Sequence, residues 1–330
     1  MPSADADRIV AEVAAAVGLV EGVTGVRAVV ATLARLEPVS IRRISRAAEL
    51  PVPIVAAICG ELRRRAVVSN ERPARLTERG RKLYAVGALR LDPRGLGAVA
   101  AEIARATATA PPARVELDQC HCTFDTKLRR VLALHEADAL VGRRILLLGD
   151  DDLTALALLH VVRRLGSPAT LASLTVLDVD RAVVDFVRSG LAAAPFPVAC
   201  VRHDLREPLP RRLVGGFDTV VTDPPYTVEA VGLFLSRAAD ALAGPGGDVF
   251  LSFGSRRPAA AFRLQQAVTE LGFSIRSLVR DFNEYVGAGV LGGTSHLYHL
   301  RATSELRPLV AGRYDGPLYT AEIPAAVAGT

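Results

Sequence analysis

From residue 143 onward, short apolar runs alternate with stretches whose apolar residues recur every three or four positions. The runs Arg144–Leu148, Ala172–Leu177, Pro197–Arg202, Phe217–Thr222, Gly247–Phe253, Phe273–Phe282 and His296–Arg301 predict strands. The stretches Thr154–Arg164, Arg181–Leu191, Val228–Leu242 and Pro258–Leu271 predict helices between them. That alternation implies an α/β domain with a mostly parallel, doubly wound sheet covered by helices on both faces.

The first third has a different pattern. Residues 25–36 have helical spacing, Ser40 is placed to cap a short helix through Ala48, and Pro51-Val52-Pro53 opens a third helix, Ile54–Arg65. Ala66–Leu76 holds a β-branched pair, a polar turn and a return strand, and Thr77–Leu83 is helix-like again. Helix, helix-turn-helix, hairpin and helix is the order of a winged helix. Asp92-Pro93, Pro111-Pro112 and an alanine-rich helix form the connection. The expected domains are therefore a winged-helix-like 1–95, a connecting helical 96–142 and a Rossmann-like catalytic 143–330.

Composition narrows the options. Of forty basic residues only Lys82 and Lys127 are lysines, an imbalance typical of a GC-rich genome. Residues 1–95 carry sixteen basic and ten acidic side chains, the remainder twenty-four and twenty-five, so any affinity for nucleic acid belongs to the first third. Arg63-Arg64-Arg65 would suit DNA there, although such a module also serves as a structural or dimerising appendage. No signal peptide and no apolar stretch of about 18 residues is visible, and four scattered cysteines (Cys59, Cys120, Cys122, Cys200) fit a reducing cytoplasm. Cys120-His121-Cys122 is too compact for a zinc site without a second ligand pair elsewhere, so no metal is expected.

Open sheets of this kind bind ligands at the carboxyl ends of their strands. Four polar motifs fall there: Gly149-Asp150-Asp151-Asp152, Asp178-Val179-Asp180, His203-Asp204 and Asp223-Pro224-Pro225-Tyr226. A single aspartate at such a point is commonly a helix cap. Four in register suggest a nucleoside pocket, with Asp178 suited to ribose hydroxyls and Asp204 to a base edge. In the last motif two prolines remove amide donors, leaving carbonyls and Asp223 to accept from an amine, and Tyr226 adds a π-face for a cation. The same tetrapeptide marks S-adenosylmethionine-dependent amino-methyltransferases. Three aspartates at 150–152, however, would repel that donor's α-carboxylate and welcome its decarboxylated form and a polycationic acceptor. Aminopropyl transfer between two cations follows.

The triple aspartate, Asp178-Val179-Asp180, Asp223-Pro224-Pro225-Tyr226-Thr227, Leu233–Arg237 and Phe282-Asn283-Glu284-Tyr285 together resemble the branched-chain polyamine synthases, N4-bis(aminopropyl)spermidine synthases, over about residues 24–320. The resemblance implies a Rossmann-like, methyltransferase-type sheet with an N-terminal winged-helix domain. It also implies decarboxylated S-adenosylmethionine as co-substrate rather than resident cofactor, methylthioadenosine as by-product and a spermidine-like acceptor receiving one or two aminopropyl groups. Asp152 is the expected proton acceptor, with Asp151 its nearest competitor and Asp223 beside the acceptor amine. Gly149, Asp150, Asp178, Asp180, Asp204, Pro224, Pro225, Tyr226 and Gln119 complete the expected substrate contacts. The segment 118–126 departs from the family in its Cys-His-Cys and in Asp125, where glutamate is expected. Nucleic acid and membrane are not expected partners, and the appended domain suggests a homodimer. The rivals are a nucleic-acid amino-methyltransferase and a ligand-sensing transcriptional regulator. His203, His160, Glu229 and Glu284 are further, unranked candidates.

Overall fold

The computed structural model describes residues 4–19, 22–84, 93–165, 171–254, 258–287 and 293–322. The chain divides into two units, Met1–Pro93 with Val162–Thr170, and Arg94–Val161 with Leu171–Thr330. The connecting segment expected at 96–142 falls within the second. Asp92, the expected start of that connection, lies outside the described residues.

In the first unit α1 (Ala4–Val17), α2 (Gly22–Leu36), α3 (Ile41–Ala48), α4 (Val52–Arg64) and α5 (Glu78–Tyr84) surround an aliphatic core of Ile9, Val13, Val29, Leu33, Ile44, Ile58 and Leu62. Helix α1 was not expected. Its Ile9, Val10 and Val13 nonetheless keep helical spacing and are buried. Ser40 caps α3 by accepting from the Arg43 amide. Isolated antiparallel bridges pair Val39 with Ala74 and Val68 with Leu76. The start of α4 exposes Pro51, Val52, Pro53, Ala56 and Ala57, none of them polar. At its end Arg64 and Arg65 both pair with Glu61.

The second unit holds a seven-stranded sheet made of β1 (Arg144–Leu148), β2 (Ser173–Asp178), β3 (Val198–Arg202), β4 (Thr219–Thr222), β5 (Asp248–Phe253), β6 (Phe273–Glu284) and β7 (Thr294–Ala302). Their order is β3-β2-β1-β4-β5-β7-β6. The first five strands pair in parallel, and β7 runs antiparallel to both β5 and β6. Helices α6 (Pro93–Thr107), α7 (Phe124–Glu136), α8 (Thr154–Leu165), α9 (Arg181–Gly190), α10 (Val228–Ala241) and α11 (Pro258–Glu270) accompany it. Central strands β1, β4 and β5 are buried along almost their whole length, which explains their unbroken apolar runs. Helix α10 is nearly all buried and starts on Thr227, which accepts from the Ala230 amide. Among the described residues no single helix is long and apolar enough to cross a membrane.

Candidate active site

Because β3, β2, β1 and β4 lie side by side and parallel, their carboxyl ends form one rim. The four polar motifs stand along it. Gly149 makes the turn off β1 at φ +74°, a left-handed conformation suited to glycine, and donates its N–H to Leu177 O at 2.8 Å. A cleft of about 480 Å³ opens there, lined by Gly149, Asp151, Asp178, His203, Asp204 and Tyr319 among others. A second, of about 300 Å³, is lined by Asp118, Cys120, Pro224, Tyr226 and Tyr285. Leu117, Gln119, Asp151, Asp223 and Pro225 belong to both. Two carboxylates thus stand where the clefts meet.

The three consecutive aspartates have three different roles. Asp150 turns inward, and both its oxygens accept from the Ala155 amide in the first turn of α8, so it caps that helix and lines neither cleft. Asp152 is buried and also lines neither. Its Oδ2 accepts from Arg130 Nη1 at 2.6 Å, and its Oδ1 accepts the Cys122 amide. Only Asp151 reaches the clefts, with Oδ2 accepting the Cys120 amide at 3.2 Å. Of the three consecutive aspartates Asp151 thus lines the clefts, beside Asp223 in both, Asp118 in the smaller, and Asp178 and Asp204 in the larger.

Arg130, from α7, organises the floor of the site. Fully buried, it donates Nε to Asn283 Oδ1 at 2.8 Å and Nη2 to Asp223 Oδ2 at 2.7 Å. Tyr285 donates its hydroxyl to the same Asp223 oxygen at 2.6 Å, and Ser295 Oγ lies 2.9 Å from that hydroxyl. Asp223 Oδ1 is left without a hydrogen-bond partner. Burial disfavours the charge on Asp152, but Arg130 and Lys127 outweigh it and hold its pKa at about 2. Burial, opposed by Arg130 and reinforced by the Asp152 carboxylate, pushes Asp223 up to about 7. Burial and then the carboxylates of Asp152, Asp178 and Asp223 drive Asp151 well above the usual carboxyl range.

The remaining expected residues divide similarly. Asp178 accepts the Asp150 amide on Oδ2 and the Asp180 amide on Oδ1, both at 2.8 Å, so it tethers the β1 loop while lining the larger cleft. Asp180 caps α9 through the Ala182 amide and lines neither cleft. Asp204 lines the larger cleft with Oδ1 accepting the Arg206 amide; beside it His203 has an unpartnered, buried Nε2. Gln119 is held by the Arg114 amide at 2.9 Å. The Tyr226 ring stacks on Phe253 at 5.6 Å and meets Tyr285 edge-on. His160 pairs with Glu102, and Glu229 and Glu284 are exposed outside the clefts. Arg130, Tyr285, Asn283 and Ser295 had not been singled out as site residues. Among the described residues no three His, Cys, Asp or Glu side chains are grouped to hold a metal ion.

This arrangement has a known counterpart. The family described as branched-chain polyamine synthase A C-terminal domain matches residues 100–304. The chain belongs to the branched-chain polyamine synthase family. An uncharacterized protein of Methanocaldococcus jannaschii is 32% identical over 302 residues, covering 86% of this chain and 74% of the relative. The N(4)-bis(aminopropyl)spermidine synthase of Thermococcus kodakarensis is 29% identical over 274 residues, covering 76% and 75%. A crystal structure of the branched-chain polyamine synthase from Thermus thermophilus, in complex with N4-aminopropylspermidine and 5'-methylthioadenosine, superposes with TM-score 0.60 and 26% identity over 96% of this chain and 98% of that one. The polyamine synthase match ends at residue 304, so Leu318 and Tyr319 reach the larger cleft from beyond it.

Proposed function

We propose that this polyamine synthase seats decarboxylated S-adenosylmethionine in the larger cleft and a linear, spermidine-like polyamine in the smaller. It transfers an aminopropyl group between them, once or twice, and releases methylthioadenosine. The observation that carries this assignment is the shared wall: Asp151 and Asp223 border both clefts, where a nucleophilic nitrogen and an electrophilic carbon would meet.

The amine nitrogen attacks the methylene carbon next to the sulfonium. The carbon–sulfur bond breaks, and its electron pair neutralises sulfur as a thioether. An alkylammonium has a reference pKa of about 10.4, so the site must first bind the cation and take one proton. Asp223, with a pKa near neutrality and a vacant Oδ1, is the better proton acceptor. Asp151 faces it across the junction and holds the ammonium. Asp152 keeps a structural role as the partner of Arg130. The roughly 3–3.5 Å approach that in-line transfer needs is set by Pro224 and Pro225, which stiffen the loop, and by the Tyr226 face. Asp178, Asp204 and His203 are the nucleoside contacts. The donor arrives and leaves with each turnover, so no resident cofactor enters this scheme.

The N-terminal unit is winged-helix-like in its element order and serves as an appendage. The apolar start of α4 and the internally paired Arg64 and Arg65 offer little to phosphates and fit a contact with a second copy, giving a homodimer. The four unpaired thiols suit a cytoplasmic enzyme. Purified protein incubated with decarboxylated S-adenosylmethionine and a polyamine panel, read by mass spectrometry, tests the whole assignment. Methylthioadenosine together with an acceptor heavier by one or two aminopropyl units is expected. Methyl transfer to nucleic acid from intact S-adenosylmethionine, with no polyamine product, would overturn it.

A further inference from the structure

His121 sits in the Cys120-His121-Cys122 segment that lies across the β1 loop. Its neighbours grip that loop through their amides, Cys120 on the Asp151 carboxylate and Cys122 on that of Asp152. The imidazole acts differently. Its Nδ1 lies 2.7 Å from Asp151 O and its Nε2 lies 2.9 Å from Pro111 O. Both partners are backbone carbonyls, which only accept. The ring thus spans the β1 loop and the segment ahead of α7, with an N–H at Nδ1 suited to the Asp151 carbonyl.

We propose that His121 is a clamp that positions Asp151 for the acceptor amine. Its Nδ1–H fixes the peptide carbonyl of the residue whose carboxylate borders both clefts. Its Nε2 lies against the Pro111 carbonyl, in the segment ahead of α7. The backbone of His121 is itself pinned, its carbonyl accepting the Val286 amide at 2.9 Å, and Cys122 bridges to Tyr285. The ring therefore has a fixed base from which to hold the loop. His121 touches neither cleft, so it acts through Asp151 and not on the substrate. The positioning role rests on the assignment of Asp151 as the amine-binding carboxylate.

Two conservative replacements separate the two ends of the clamp. Asparagine places its amide nitrogen near the position of Nδ1, and glutamine near that of Nε2. His121→Asn keeps the donor to Asp151 and is expected to keep acceptor kcat/KM within about threefold. His121→Gln keeps only the Pro111 contact and is expected to lose about tenfold or more, because small misplacements of a reacting group are costly. Methylthioadenosine affinity should be unmoved in both. Equal losses in the two variants, or a parallel loss of methylthioadenosine affinity, overturn the positioning role. The assignment beneath it is tested separately by Asp151→Asn. Wild-type turnover in that variant overturns the role of Asp151 and the positioning role with it; lost turnover there, beside equal effects at His121, overturns the positioning role alone.

Discussion

Asp152 and Arg130 form a buried ion pair, Oδ2 to Nη1 at 2.6 Å, beneath the junction of the two clefts. Removing one member leaves the other charged and dry, a change that costs about 3 kcal/mol or more. Asp152→Asn should therefore lower the unfolding free energy by about that amount, read as a fall in the urea midpoint, with Asp223 keeping part of the guanidinium paired. Because the Asp152 pKa is depressed to about 2, its contribution is present above the ordinary carboxyl range and is lost as pH falls toward that value. An unchanged midpoint with abolished turnover would return Asp152 to the role of proton acceptor.

Asp223 should set the acidic limb of the pH profile. With a pKa raised to about 7 it is protonated, and unable to take a proton, below neutrality. Acceptor kcat/KM is expected to rise about tenfold per pH unit below that point and to flatten above it. Asp223→Asn should remove both the limb and most of the turnover. A limb that survives the substitution would assign it to another group.

Tyr226 lines the smaller cleft, and its ring stacks on Phe253. Tyr226→Leu should raise acceptor KM by about three- to tenfold, the loss of roughly 1 kcal/mol of cation–π attraction. Tyr226→Phe should keep most of the affinity. Leucine and phenylalanine variants with equal KM would show that the ring face does not meet the cation.

Asp178 and Asp180 should separate cleanly. Asp178→Asn turns an amide NH2 toward one of two backbone N–H donors, displacing the β1 loop, and methylthioadenosine affinity is expected to fall tenfold or more. Asp180→Ala removes a helix cap and should cost about 1 kcal/mol of stability while affinity changes little. Isothermal titration and thermal unfolding on both variants would check this, and a reversal of the two effects would move the nucleoside contact to Asp180.

Much of the sheet was legible because buried parallel strands are apolar throughout: Ile-Leu-Leu-Leu in β1 and Val-Val in β4 leave few other structures. The reversal at β7 was not, since strand direction has no local signature. The rim motifs were found because strand ends and aspartates are both visible in sequence. Their division of labour was not, because a capping aspartate such as Asp150 and a cleft-lining one such as Asp151 differ only in where the turn at Gly149 points them. Arg130 was hidden in an arginine-rich composition, and its partner Asn283 lies 153 residues away. Only tertiary structure brings those two together.

Separate compartments with a common wall have a kinetic consequence. With the two substrates seated as proposed, both can be resident at once and direct transfer is the expected course; initial-rate plots should then intersect rather than run parallel. A singly extended polyamine can also keep its place while spent nucleoside is exchanged for fresh donor on the other side of Asp151 and Asp223. Double addition to one nitrogen is then a matter of residence time, and branching becomes a property of how slowly the smaller cleft empties.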